Sequence, residues 1–174
     1  RHDGAASRPE GHAHGIDPHI WTSPRALKQM AANAYDALRT SFPDSVRYTE
    51  NYEKLLVRLD SLDTACAEAL RQADVHTIVI YHPALTYYAA DYGLEQLAVE
   101  HDGKEPSARH LARLIEEARR KKVRRVFYQA QYPASTVKVI AEDIGARSVK
   151  IDPLREDVIE NIGEITRQLT SGNE

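Results

Sequence analysis

With 174 residues, the chain has room for one well-buried domain and not comfortably for two. A hydrophobic share of 42% and a charged share of 28% exclude wholesale disorder, and no apolar run approaches the roughly 20 residues that span a bilayer. The net charge of -3 supplies no positive field for non-specific nucleic-acid binding, and a single cysteine, Cys66, excludes an intramolecular disulfide, a CxxC pair and a four-cysteine zinc knot.

Residues 1–15 combine Gly, Ala, Ser and Pro with His2, His12 and His14 and lack apolar periodicity, which reads as a flexible His-rich segment. The chain begins at Arg1 and its only methionine is Met30, so a preceding segment, either a signal peptide or a structural piece, is expected to have been removed. Thr22-Ser23-Pro24 offers a capping hydroxyl and a proline for a first turn, and Leu27, Met30, Ala31, Ala34 and Leu38 follow at helical spacing. After Phe42-Pro43-Asp44, the positions Tyr48, Tyr52, Leu55, Leu59, Leu62, Cys66 and Leu70 keep one 3-4 stripe. A helix over 44–72 is about 40 Å long at 1.5 Å per residue.

From Val75 the period changes. Strands are predicted over 77–81, 95–100, 123–128 and 147–151, alternating with helices over 83–92, 107–122, 133–144 and 156–169. Gly93 and Gly145 stop two of these helices. Such alternation predicts an α/β fold: a four-stranded parallel sheet flanked by helices, with right-handed crossovers, preceded by a long connecting helix. The basic run Arg119 to Lys122, with Arg124 and Arg125, closes a helix, where cations complement the dipole.

No GxxxxGK[ST] loop, GxGxxG after a strand, GxSxG elbow or HExxH is present, so nucleotide, dinucleotide and serine-hydrolase readings lose their usual support. In a parallel sheet, ligands sit outside the carboxyl ends of the strands. His82 follows the first strand and Asp152 the fourth, each held by a following proline, Pro83 and Pro153. An imidazole and a carboxylate at such an edge serve as a general-base pair, as metal ligands, or simply as helix caps and carbonyl partners. His19, in Asp17-Pro18-His19-Ile20-Trp21, adds a third donor; three N and O donors without a thiol suit zinc first, then manganese or iron.

Several segments carry a more specific signal: DPHIW at 17–21, YHPALTYYAADYGLEQ at 81–96, GKEPS at 103–107, IAEDIGA at 140–146 and IDPL at 151–154. Together they resemble the zinc-type periplasmic substrate-binding proteins of bacterial metal ABC transporters, in order from about 11 to 170. The resemblance implies two α/β lobes bridged by a long helix, with Zn2+, or Mn2+ as second choice, bound in the interlobe cleft and delivered to an ABC permease in the membrane. It further implies His19, His82 and Asp152 as metal ligands, His2, His12 and His14 as auxiliary metal-collecting residues, an extracytoplasmic location in the cell envelope, and no enzymatic activity.

On this reading residues 1–15 are the His-rich loop, 16–42 a remnant of the first lobe, 43–73 the bridging helix and 74–174 the C-terminal lobe. The first lobe and its ligand are expected to be missing, and the apolar surface so exposed predicts self-association. Gln129 stands where relatives often carry an acidic residue and is assigned no metal role. The competing readings are a manganese or iron binder of the same fold, a zinc-dependent hydrolase, and a module that binds a polar organic ligand.

Overall fold

The computed structural model describes residues 16–100, 104–132 and 134–171. A short 3-10 turn over Ile20–Thr22 leads into α1 (Pro24–Ser41), and α2 (Val46–Gln72) follows. The α/β unit then runs β1 (Thr77–Ile80), α3 (Thr86–Asp91), β2 (Glu95–Ala98), α4 (Ala108–Arg120), β3 (Arg125–Gln129), α5 (Ala134–Ile144), β4 (Arg147–Ile151) and α6 (Val158–Thr170).

All pairings in the sheet are parallel and the strand order is β2-β1-β3-β4. Because successive side chains of a strand point to opposite faces, β1 feeds two cores: Ile78 and Ile80 face Cys66, Leu85, Tyr88 and Ile165. Val79 and Tyr81 face Leu114, Val137 and Ile140. The sheet is therefore buried on both sides, which explains why β1 reads as a continuous β-branched run.

The chain leaves β1 toward β2 on one side and returns to place β3 on the other. Helix α3 contributes Tyr88 and Ala89 to one core, whereas α5 contributes Val137, Ile140 and Ala141 to the opposite one. The connections that leave the carboxyl ends of β1 and β3 consequently run to opposite faces, and the crevice between them is the topological switch point at which such sheets bind ligands.

Local chemistry fixes the entries and exits. Ser23 caps α1, its Oγ accepting from the Ala26 N–H at 3.0 Å, with Pro24 in the first turn. The same hydroxyl donates to Asp91 Oδ2, tying the start of α1 to the end of α3. Ser107 and Asp157 cap α4 and α6. Gly93 and Gly145 take φ of +66° and +67° after α3 and α5, a conformation that L side chains rarely adopt.

Helices α1 and α2 form an antiparallel pair. Arg25 meets Asp63, Lys28 meets Asp60, and Tyr35 stacks on Tyr52 with centroids 4.3 Å apart. The second half of α2 belongs to the sheet's own core: Leu59, Cys66 and Leu70 are buried, and Cys66 Sγ lies 3.1 Å from Thr166 Oγ1 of α6. Among the described residues, no helix is long and apolar enough to cross a membrane.

Candidate metal centre

The residue after β1 is placed by its neighbours on both sides. The backbone N–H of His82 donates to Gln129 Oε1 at 3.3 Å, and Gln129 Nε2 donates back to the His82 carbonyl at 2.7 Å. This reciprocal amide pair clamps the end of β1 to the end of β3 across the switch point. Gln129 is buried, 3% exposed, so both of its amide groups need these partners.

The His82 imidazole is held as firmly. Its Nδ1 lies 2.6 Å from Glu100 Oε1, and Tyr132 stacks on the ring, centroids 5.2 Å apart with an interplanar angle of 17°. Glu100 follows β2 and is 7% exposed. Against an ionised carboxylate, which only accepts hydrogen bonds, Nδ1 is the donating nitrogen, and a neutral ring then carries its lone pair on Nε2. Burial, with the Glu100 charge nearby, pushes the hydroxyls of Tyr81 and Tyr132 above the usual phenolic range. Both tyrosines thus act as neutral walls.

His19 reaches the same place from the segment before α1. Asp17 Oδ1 accepts from both the His19 backbone N–H at 2.9 Å and the ring Nδ1 at 2.7 Å. Burial alone raises the Asp17 carboxyl, but hydrogen bonds from the Thr86 hydroxyl and from His19 outweigh it and hold the group below its ordinary value. The carboxylate is thereby kept as an acceptor, and the His19 lone pair is again on Nε2. The segment is pinned at both ends: the Tyr87 hydroxyl donates to the Asp17 carbonyl at 2.9 Å, and Trp21 Nε1 donates to the Pro153 carbonyl at 3.0 Å.

The two imidazoles meet edge to face with centroids 5.0 Å apart. Each has its Nδ1 engaged by a carboxylate, the arrangement by which proteins fix the tautomer and raise the basicity of a metal-binding histidine. Of the residues singled out in the sequence, His19 and His82 are therefore brought together.

Asp152 is placed differently. It follows β4, which β3 separates from β1 in the sheet. One carboxylate oxygen, Oδ1, accepts from the Leu154 N–H at 3.1 Å, and the Asp152 carbonyl accepts from Asn161 Nδ2 at 2.8 Å. Among the described residues, no group of three or more His, Cys, Asp or Glu side chains stands together as a metal-holding cluster. The auxiliary His2, His12 and His14 lie outside the described residues.

Sequence reasoning missed Glu100, Asp17 and Gln129 as working parts of the site. The rule that selected His82 and Asp152, position at a strand's carboxyl end, applies equally to Glu100 after β2 and to Gln129 closing β3. Asp17 carries the signal of an Asx turn, a carboxylate two residues ahead of the backbone N–H that it accepts from.

Comparison with known proteins agrees with this architecture. The profile of the family described as "ZnuA: Zinc-uptake complex component A periplasmic" matches residues 2–170. The zinc-binding lipoprotein AdcA of Streptococcus pneumoniae (strain ATCC BAA-255 / R6) is 32% identical over 148 residues, covering 83% of this chain and 30% of its own length. The high-affinity zinc uptake system protein ZnuA of Bacillus subtilis (strain 168) is 27% identical over 145 residues, 82% of this chain and 46% of its own. Among solved structures, a crystal structure of ZnuA superimposes with a TM-score of 0.85 at 31% identity, covering 91% of this chain and 62% of that one. The periplasmic zinc binding protein TroA from Treponema pallidum, with a TM-score of 0.77 at 16% identity, shares the fold. This chain thus spans less than half the length of these two curated relatives. With the profile matched along almost all of its length, the chain belongs to the ZnuA family, component A of periplasmic zinc-uptake complexes.

Proposed function

We propose that the chain is part of a solute-binding protein of a metal ABC transporter, which takes up Zn2+ as cargo and hands it to a membrane permease. The observation that carries this reading is the His19–His82 pair, centroids 5.0 Å apart, with each Nδ1 held by a carboxylate. Neutral imidazole nitrogen suits zinc. Asp152 is the proposed third donor: only one of its two oxygens serves the Leu154 turn, and the Trp21 to Pro153 bond joins its strand end to the His19 segment. Residues 16–42 then belong with the first lobe and 43–73 form the bridge to the lobe at 74–174. The metal lies in the cleft between lobes, where a donor from outside this chain or from the His-rich 1–15 segment completes the shell. The relatives' printed names, a zinc-binding lipoprotein and a periplasmic zinc-uptake component, support an extracytoplasmic location and a binding role in place of catalysis.

Calorimetric zinc titration of this chain and of a His82→Ala/Asp152→Ala double variant tests the proposal. Stoichiometric binding lost in the variant supports it. Equal binding by both assigns the metal to the His-rich segment and overturns the strand-end site. Competition at equal concentration checks the ion, and a preference for manganese would sink the zinc assignment.

A further inference from the structure

The edge of the sheet opposite the histidines holds a cavity of about 300 Å3. It lies where α2 turns into β1 and α4 turns into β3, and residues of both turns line it. Its walls carry Lys121, Lys122, Arg124 and Arg125 against one lining carboxylate, Asp74, with Val75, Val123, Phe127 and Leu169 forming an apolar floor.

The charges around it are unevenly matched. Asp74 is already engaged by His76, Nε2 to Oδ1 at 2.8 Å, and Lys121 pairs with Glu95 outside the lining. Arg125 is anchored by donating from Nη1 to the Leu169 carbonyl at 2.6 Å. Lys122 and Arg124 make no ion pair among the described residues. Burial first, and then the like charges of Arg147 and Arg124, hold the Arg125 guanidinium below its ordinary value.

Dipole complementation at helix ends does not account for the cluster. The last carbonyls of both helices are capped by backbone: Val75 N–H donates to Leu70 at 3.2 Å, Lys122 N–H to Arg119 at 3.0 Å and Val123 N–H to Ala118 at 2.9 Å. Asp74 and Lys122 take the left-handed conformation, φ of 52° and 54°, that makes these turns, a strained choice for residues other than glycine. Lys122 and Arg124, whose side chains pair with no carboxylate among the described residues, stand beside the anchored Lys121 and Arg125 around a concave site with apolar walls, an arrangement suited to an anionic ligand.

We propose that this cavity binds an anionic phosphate group, either as a free phosphate or phosphomonoester or as the exposed phosphodiester head group of an anionic lipid. It is separate from the metal edge and does not depend on the zinc assignment.

The test uses the whole chain and a Lys122→Glu/Arg124→Glu variant, both residues being exposed. Inorganic phosphate and pyrophosphate are titrated calorimetrically, and co-sedimentation with phosphatidylglycerol vesicles is compared with phosphatidylcholine vesicles. The expected result is saturable binding that weakens about tenfold or more in the variant and with rising salt, while the circular dichroism spectrum and zinc titration stay unchanged. Binding of the free anions alone identifies a soluble phosphate as the source; retention on phosphatidylglycerol alone, lost in the variant, identifies the lipid. Absence of saturable binding to either probe, or equal binding by the variant, overturns the proposal.

Discussion

Glu100 Oε1 stands 2.6 Å from His82 Nδ1, joining the carboxyl ends of β2 and β1. The contact engages Nδ1 and leaves Nε2 of the His82 ring, whose centroid lies 5.0 Å from that of His19, for a ligand. Glu100→Ala is expected to lower zinc affinity by about 10–100-fold, the usual cost of removing such a partner. Glu100→Gln, whose amide oxygen still accepts from Nδ1, should lose less. Chelator competition measures both, and equal losses in the two variants would contradict a positioning role.

The Gln129 clamp makes a prediction about stability. Gln129→Leu keeps the volume but leaves the His82 N–H and carbonyl without their partners, at a cost of about 1–3 kcal/mol for each buried group left unsatisfied. Urea unfolding should show a lower midpoint with an unchanged slope. An unaltered midpoint would mean that water replaces the amide freely.

Alkaline pH should unfold the protein from within the core between α2, α3 and α6. Burial pushes the Cys66 thiol above its ordinary 9.0, and likewise raises the hydroxyls of Tyr88 and Tyr92 above 10.0. Each group is neutral when protonated, so the folded state holds these protons more tightly than the unfolded chain does. Their contribution is complete below the unfolded values and is lost as pH rises through and beyond them. Urea midpoints should stay level up to about pH 9 and fall above it. Tyr88→Phe should flatten that fall, and a wild-type curve level to about pH 11 would refute the account.

Self-association is expected through the groove between α1, α2 and the start of α6, lined by Leu27, Met30, Leu55 and Val158 among others. Met30 is 39% exposed and Val57, farther along α2, 65%. Light scattering should report a mass that grows with concentration, and Met30→Glu should reduce it. A constant monomer mass at high concentration would count against this face as an interface.

The sequence pattern located most elements to within a few residues, and it picked out the two histidines that the fold brings together. Strand β4 occupies the expected 147–151, and α2 begins at Val46 within two residues of the expected start. Helix α3 is shorter than expected because Pro83 to Leu85 form a separate turn, with the Leu85 N–H captured by Gln96 Oε1 at 2.9 Å. Strand β3 starts at Arg125 because Val123 closes the end of α4. These are local contests that periodicity cannot arbitrate.

Strand order is another matter. A sequence lists β1 to β4 in succession, but the fold moves β2 to the outer edge, which puts β3 directly beside β1 and leaves Asp152, after β4, one strand away from His82. The same order brings Gln129 beside His82. Such neighbours are set by long-range pairing, which has no periodic trace.

The bond from Trp21 to the Pro153 carbonyl, with that from Tyr87 to the Asp17 carbonyl, fastens the His19 segment to the α/β unit through protein groups alone. The spacing of the two imidazoles is therefore braced by the protein's own groups. If the proposed ion binds between them, its capture should cost little conformational entropy in this segment. An ion that fits the spacing poorly would have to bend a braced frame, so discrimination would rest on the bracing itself.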